Sequence, residues 1–260
     1  KDICKTKYDI VISLDDDTEA CRLASSVESK KTIGAYLKNY SKVYTDDSSQ
    51  WFDMGLISRF GKEKADQFKA KNRRTYQEIM YSVLDLNYKK QEPILALNKD
   101  EIEFGKKFSI KNNIKNNDIV IGINTGAGGR WQDKKLSIDK TAMFIDKLND
   151  EIRNAKILLF GGPEEAGRNE RIKELVKTKL IDAGTDNSLM EFASLVNLCS
   201  ILVTSDSLAL HIGVALKKKI VAFFCPTSPW EIELFGRGIK ILPKKGCICC
   251  YRQECNVKPD

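Results

Sequence analysis

From Asp118 onward, short apolar runs alternate with longer stretches whose apolar residues recur every three or four positions. "DIVIGINT", "KILLF", "LIDAG", "SILVTSD" and "KIVAFFC" are apolar at consecutive positions, as strands buried on both faces are. Between them stand "SIDKTAMFIDKLNDEI", "GRNERIKELVKTK", "SLMEFASLVNLC" and "SLALHIGVALKK", which read as helices near the 3.6 period. "PTSPWEIELFG" follows the last strand. Buried-type strands alternating with amphipathic helices predict an open parallel sheet covered on both faces.

The pattern before Asp118 is less regular. "YDIVISL" is a short apolar run that ends in three aspartates, and "KTIGAY" reads as a second strand. Helical patterns follow in "SQWFDMGLISRFG", closed by Gly61, in "NRRTYQEIMYSVLDLN" and in "KDEIEFGKKFSIKNN". The polar stretch Lys111 to Asp118, "KNNIKNND", is the linker candidate. It divides the chain into residues 1–114 and 115–260. No repeat period or low-complexity tract is visible.

Composition narrows the class. With 260 residues, 42% hydrophobic and 30% charged, the chain can bury a core in one large or two modest domains. No apolar run reaches the roughly 18 residues of a membrane span, and no signal peptide is present. The chain does not start with Met, and "KDICKTKYDIVISL" reads as the middle of a protein. A net charge of +7 suits an anionic ligand or an acidic membrane surface. Of eight cysteines, Cys21, Cys199 and Cys225 stand in apolar surroundings and read as buried thiols, while Cys4 is isolated. Cys247, Cys249, Cys250 and Cys255 crowd into "GCICCYRQEC"; a loop of free or paired thiols is favoured there over zinc, which prefers two separated knuckles.

In an open α/β sheet, ligands bind outside the carboxyl ends of the strands. Those ends read "NTGAGGRWQDKK", "FGGPEE", "DAGTDNS", "TSDSLALH" and "CPTSPW". Small residues admit a close backbone approach, and a helix N-terminus offers N–H groups to an anion. Neither G-x-G-x-x-G nor G-x-x-x-x-G-K-[ST] occurs, so neither a dinucleotide fingerprint nor a P-loop is indicated. The chain's single histidine, His211, lies in "TSDSLALHIG", five residues after Asp206.

The segments "NTGAGGRWQDKKLSIDKTAMFIDKL", "LLFGGPEE", "NSLMEFASLVNLCSILVTSDSLALHIGVALKKKIVAFFCPTSP" and "CCYRQEC" together resemble the ADP-heptose:lipopolysaccharide heptosyltransferases, inverting glycosyltransferases of family 9. The resemblance implies an α/β, GT-B-like fold of two Rossmann-like domains with parallel sheets. The N-terminal, acceptor-side one would be incomplete in 1–114, and the donor-binding one would be 115–260. It assigns catalytic roles to Lys134, His211 and Asp206. Donor binding falls to Thr125, Gly126, Gly128, Gly129, Gly162, Glu165, Asn187, Ser188, Ser207 and Leu208. Lys135 competes with Lys134, and Glu164 with Glu165, while Ser188 is also a natural N-cap. Leu208 stands where the family has glycine, so a side chain meets the phosphate position.

Asp15, Asp16 and Asp17 have three readings: an acceptor-side cleft, a helix cap, or the D-x-D metal site of a GT-A transferase. The cleft is preferred, with no metal and no cofactor beyond the ADP-sugar substrate, since Lys134, His211 and a helix dipole take the metal's place. The family's N-terminal strand and its catalytic aspartate have no counterpart before "KYDIVISL". The implied activity is transfer of a sugar, heptose by resemblance, to a lipopolysaccharide core or similar lipid-linked acceptor. The implied location is cytoplasmic, peripheral to the inner face of the inner membrane, with no nucleic-acid partner. The alternatives are a non-catalytic nucleotide-sugar binding protein and the metal-dependent GT-A-like transferase.

Overall fold

The structure is a computed structural model that describes residues 3–55, 60–129, 134–244 and 248–252. It divides into two compact units: Lys1–Gln91 with Trp230–Glu233, and Glu92–Pro229 with Leu234–Asp260.

In the first unit, β1 (Tyr8–Ser13) crosses over through α1 (Thr18–Ser26) to pair in parallel with β2 (Ser29–Lys38). β2 then turns back into β3 (Ser41–Tyr44), which runs antiparallel to it. This sheet is therefore mixed, where the resemblance implied parallel strands. The reason is local: Asn39 and Tyr40 both hold positive φ, 51° and 60°, and so form a two-residue turn, which can join only antiparallel neighbours. Three helices follow: α2 (Ser49–Asp53), α3 (Lys62–Lys71) and α4 (Tyr76–Val83). Ile33, Met54, Ile79, Met80 and Val83 form the core beneath them.

The helix predicted from Ser49 to Gly61 ends at Asp53, and residues 56–59 of that prediction lie outside the described residues. Gly61, at φ +79°, opens α3 instead of closing the helix before it. α3 has no sequence signature because "KEKADQFKAK" buries little apolar surface and so carries no stripe. α4 begins where a capping box dictates, with Thr75 Oγ1 accepting from Glu78 N and Glu78 Oε2 accepting from Thr75 N.

The second unit opens with α5 (Lys99–Lys111), so it starts before the linker proposed at Lys111–Asp118 and before the 114/115 division. Packing explains the difference. Phe104 and Phe108 of α5 lie on the cluster of Leu195, Val196 and Leu202, and Gly105 lets the helix approach until an added Cβ would stand 2.7 Å from Ser194 Oγ.

Then come β4 (Val120–Asn124), α6 (Ile138–Glu151), β5 (Lys156–Phe160), α7 (Ala166–Leu175), β6 (Leu180–Asp182) and α8 (Leu189–Asn197). β7 (Ile201–Ser205), α9 (Leu208–Ala215), β8 (Lys219–Phe223) and β9 (Gly238–Ile241) complete the unit. Residues 226–237 hold no helix. β9, a four-residue strand with Ile239 and Ile241 exposed, was too short and too polar in its surroundings to read from sequence. All six strands are parallel, in the order β6-β5-β4-β7-β8-β9. Counted within the unit this is 3-2-1-4-5-6, and the order reverses between β4 and β7. The carboxyl ends of those two strands form the crevice where such sheets take their ligands.

Candidate functional site

β4 is buried along its whole length and ends in a polar residue, Asn124. Its amide Nδ2 donates to Gly126 O (2.8 Å), to Thr204 Oγ1 (3.1 Å) and to Ser207 Oγ (3.3 Å). Asn124 thus ties the loop after β4 to the end of β7 and the start of α9, across the point where the strand order reverses. Thr125 turns the other way, and its hydroxyl bonds Phe160 O (3.1 Å) and Asn169 Oδ1 (2.6 Å) beneath the loop after β5.

Above these residues lies a cavity of about 700 Å³, within the size range of small-molecule sites. Asn124 and Gly126–Gly128 form one side, and Gly161–Glu165 the next. Thr185 and Asn187 after β6, Leu189 and Phe192 of α8, and Ser207–Ala209 at the start of α9 close it. Four of the five strand ends picked out from sequence meet here.

Ser207 precedes α9 without making a side-chain cap bond to it, so the first turn of a helix faces the cavity with no capping hydroxyl of its own. Such a terminus favours an anion. Leu189 and Phe192 of α8, together with the Leu208 side chain, add apolar surface to the lining, which suits a flat ring. Leu208 is 60% exposed and stands at the rim, with the cavity open beside it.

Two ion pairs brace the crevice. Lys134 Nζ contacts Asp206 Oδ2 at 2.8 Å and Asp206 O at 3.0 Å. Lys135 Nζ contacts Glu165 Oε1 at 2.7 Å, and Glu165 Oε2 accepts from Gly162 N at 3.0 Å. Glu165 is buried, and the Gly126 backbone passes so close that an added Cβ would meet Oε2 at 2.9 Å. Both carboxylate oxygens are thereby engaged within the loop framework.

The model of Glycosyltransferase family 9 (heptosyltransferase) matches residues 1–259. The chain belongs to glycosyltransferase family 9. A lipooligosaccharide heptosyltransferase 2 of Campylobacter jejuni serotype O:2 is 26% identical over 172 residues, which are 61% of this chain and 50% of that protein. The chain thus spans about half the length of the curated relative it matches. A family 9 glycosyltransferase crystal structure from Veillonella parvula superposes with a TM-score of 0.71 at 21% identity, covering 92% of this chain and 63% of that one. E. coli ADP-heptose LPS heptosyltransferase II gives 0.59 at 17% identity, over 90% and 68%. An E. coli heptosyltransferase solved with ADP gives 0.56 at 16%, over 94% and 69%. The fold is the GT-B type of these heptosyltransferases.

Within this family 9 fold, the residues anticipated from sequence take different places. Gly126, Gly128, Gly162, Glu165, Asn187, Ser207 and Leu208 line the cavity. Lys134 and Asp206 stand beside it as an ion pair, and Thr125 supports it from below. Gly129 lies next to Glu164, an added Cβ standing 3.4 Å from Oε2. Ser188 caps α8, accepting from Glu191 N, while Glu191 accepts from Ser188 N at 2.8 Å. Asn187 Nδ2 bonds Ala183 O. His211 is exposed on α9 and is not among the lining residues.

Sequence reasoning missed Asn124, Phe192 and Thr227. Asn124 had a signal, being the one polar residue closing an apolar strand. Phe192 had none, lying within α8, and Thr227 had none beyond its place in the loop after β8.

Asp15, Asp16 and Asp17 are each engaged locally. Asp17 caps α1 by accepting from Glu19 N, Asp15 Oδ1 accepts from Asp17 N, and Asp16 Oδ2 accepts from Tyr44 Oη. No group of three metal-ligating side chains occurs among the described residues. Cys247 and Cys255 lie outside those residues. Cys21, Cys199 and Cys249 are buried, Cys225 and Cys250 half-buried and Cys4 exposed.

Proposed function

We propose that the crevice binds the nucleoside diphosphate of an ADP-sugar and that the chain serves an inverting heptosyl transfer to a lipopolysaccharide core or similar lipid-linked acceptor. One observation carries this reading: the Gly-rich loop after β4, the loop after β5 and the uncapped start of α9 converge on one cavity at the β4/β7 reversal. Relatives named as heptosyltransferases, one of them solved with ADP, support the choice of donor.

The diphosphate sits against the N–H groups of Ser207 and Leu208, where the dipole of α9 favours negative charge. Lys134, held on Asp206 beside that turn, supplies a positive charge as the diphosphate departs. The base fits between Leu189, Phe192 and Leu208, with Asn187 at its edge. Inversion requires direct displacement by an acceptor hydroxyl and a general base to take its proton. No metal is needed, because the helix terminus and the lysine carry the charge. Among the described residues no helix is long and apolar enough to cross a membrane. The net charge of +7 suits work at the anionic cytoplasmic face of the inner membrane.

Thermal unfolding with ADP, UDP, GDP and CDP, each with and without EDTA, tests the donor site. At about a hundred times its dissociation constant a ligand adds roughly 2.7 kcal/mol, which raises the Tm of a chain this size by roughly 5 to 10 °C. A rise with ADP that survives EDTA is expected, and no rise with any nucleotide would refute the reading. A second reading, nucleotide-sugar binding without transfer, is favoured by His211 standing exposed and outside the lining residues. Product formation from ADP-heptose and a lipid-linked acceptor separates the two.

A further inference from the structure

We infer that Thr227 is a positioning residue for Lys134, acting through Asp206, and that Tyr251 of the cysteine-rich segment holds Thr227 in place. The inference rests on the reading of the crevice as a nucleoside diphosphate site. Thr227 is buried, and its Oγ1 donates to Asp206 Oδ2 at 2.7 Å. The same carboxylate oxygen receives Lys134 Nζ at 2.8 Å. Two donors converging on one oxygen leave the Asp206 side chain a single orientation. Since Lys134 also bonds the Asp206 carbonyl, that orientation sets where the ammonium stands. Asp206 follows β7 and leads into α9, so the chain Thr227–Asp206–Lys134 fixes a positive charge beside the turn that faces the cavity.

The loop carrying Thr227 is itself anchored on both sides by one residue. Tyr251 N donates to Pro226 O at 2.9 Å, and Tyr251 Oη accepts from Ser228 N at 3.0 Å. Tyr251 is buried, and its φ of +49° places a bulky side chain in the left-handed region. Such a backbone persists only where surrounding contacts over-determine it, and these two bonds are such contacts. Cys249, two residues earlier, also has a positive φ, +61°. Cys249, Cys250 and Tyr251 thus have a use that does not involve metal or sulfur chemistry: this stretch delivers Tyr251 to the 226–228 loop.

The test compares Thr227→Val, which keeps shape and removes the hydroxyl, with Thr227→Ser, which keeps the hydroxyl. ADP and adenosine affinities are measured by calorimetry, in the wild-type and Lys134→Met backgrounds. Thr227→Val should weaken ADP about tenfold, as loss of a hydrogen bond to a charged group does. Adenosine should stay within about twofold, and Thr227→Ser should restore ADP. In Lys134→Met the Thr227→Val change should have no further effect on ADP. A full loss persisting there, or unaltered ADP binding by Thr227→Val, overturns the inference.

A second readout needs no nucleotide. The acylation rate of Lys134, followed by mass spectrometry, should rise several-fold in Thr227→Val and not in Thr227→Ser. An unchanged rate overturns the positioning role. Failure of the wild type to bind ADP would instead refute the nucleotide site and leave the labelling result to decide on Thr227. Should Thr227→Val not fold, Tyr251→Phe removes only the oxygen that receives Ser228 N and is expected to shift both readouts in the same direction.

Discussion

Lys134 and Lys135 are consecutive in sequence, yet their ammonium groups close on carboxylates from opposite sides of β4. One meets Asp206 after β7 at 2.8 Å and the other meets Glu165 after β5 at 2.7 Å. The sheet order explains this, since β4 lies between β5 and β7 and the segment leaving it has a partner strand on each hand. The pair of lysines staples the crevice at its switch point. It also leaves much of the attraction for an anion to backbone N–H groups and the dipole of α9.

Lys135→Met removes one half of a pair whose side chains are only 12% and 5% exposed. An unpaired buried carboxylate costs about 3 kcal/mol or more, which for a chain of this size lowers the Tm by roughly 6 to 12 °C. The double variant Lys135→Met, Glu165→Met should recover most of that loss. Calorimetric melting of the three proteins checks it, and an additive further loss in the double variant would rule the account out.

Asn124→Asp replaces an amide donor by a carboxylate that faces the Gly126 carbonyl oxygen, an obligate acceptor, and forces the Thr204 and Ser207 hydroxyls to turn and donate. Stability should fall by about 1 to 3 kcal/mol, and nucleotide affinity should fall further because a negative charge now sits on the cavity wall. Asn124→Ala should lose stability without the added electrostatic penalty. The two variants part in an ADP titration, where Asn124→Asp is the weaker.

Burial pushes the Cys199 thiol up to about 12, against which Lys218 nearby pulls only weakly. At pH 8 its thiolate fraction is negligible, and it is inaccessible besides. Iodoacetamide should therefore modify exposed Cys4 in the native protein and leave Cys199 untouched, until denaturant makes both react. Peptide mass mapping reads the difference, and prompt native labelling of Cys199 would contradict its place under β4.

Burial pushes the Asp146 carboxyl up, but the Thr178 hydroxyl and the backbone N–H groups of Lys177 and Thr178 outweigh it and hold the carboxyl below its ordinary value. A depressed carboxyl stabilises the fold above its unfolded pKa of about 3.9. That contribution is lost as pH falls through the folded value. Asp146→Asn should lower stability at neutral pH and narrow its gap to the wild type as pH drops below about 4. Denaturant melts at several pH values give the two curves, and a constant gap down to acid pH would contradict the assignment.

What the sequence determined by itself is whatever depends on local periodicity and on strand ends. The five strands from Val120 to Phe223, the helices between them and the family were all legible, because a parallel sheet buried on both faces leaves a signature in every strand. The loops that meet at the cavity were legible for the same reason, since their small residues follow directly on those strands. Tertiary structure alone decided what depends on partners far along the chain. α5 belongs to the second unit because Phe104, Phe108 and Gly105 fit α8, a matter of shape that its own sequence does not show. β3 runs antiparallel because two residues with positive φ leave no other path. That Lys134 and Lys135 close on carboxylates 72 and 30 residues further along, on opposite sides of β4, could not be read from a one-residue ambiguity in the sequence. Thr227 entered the site only through a bond to Asp206, 21 residues before it. Periodicity records which face of an element is buried, and which side chains meet across the crevice follows from the order in which the strands are laid side by side.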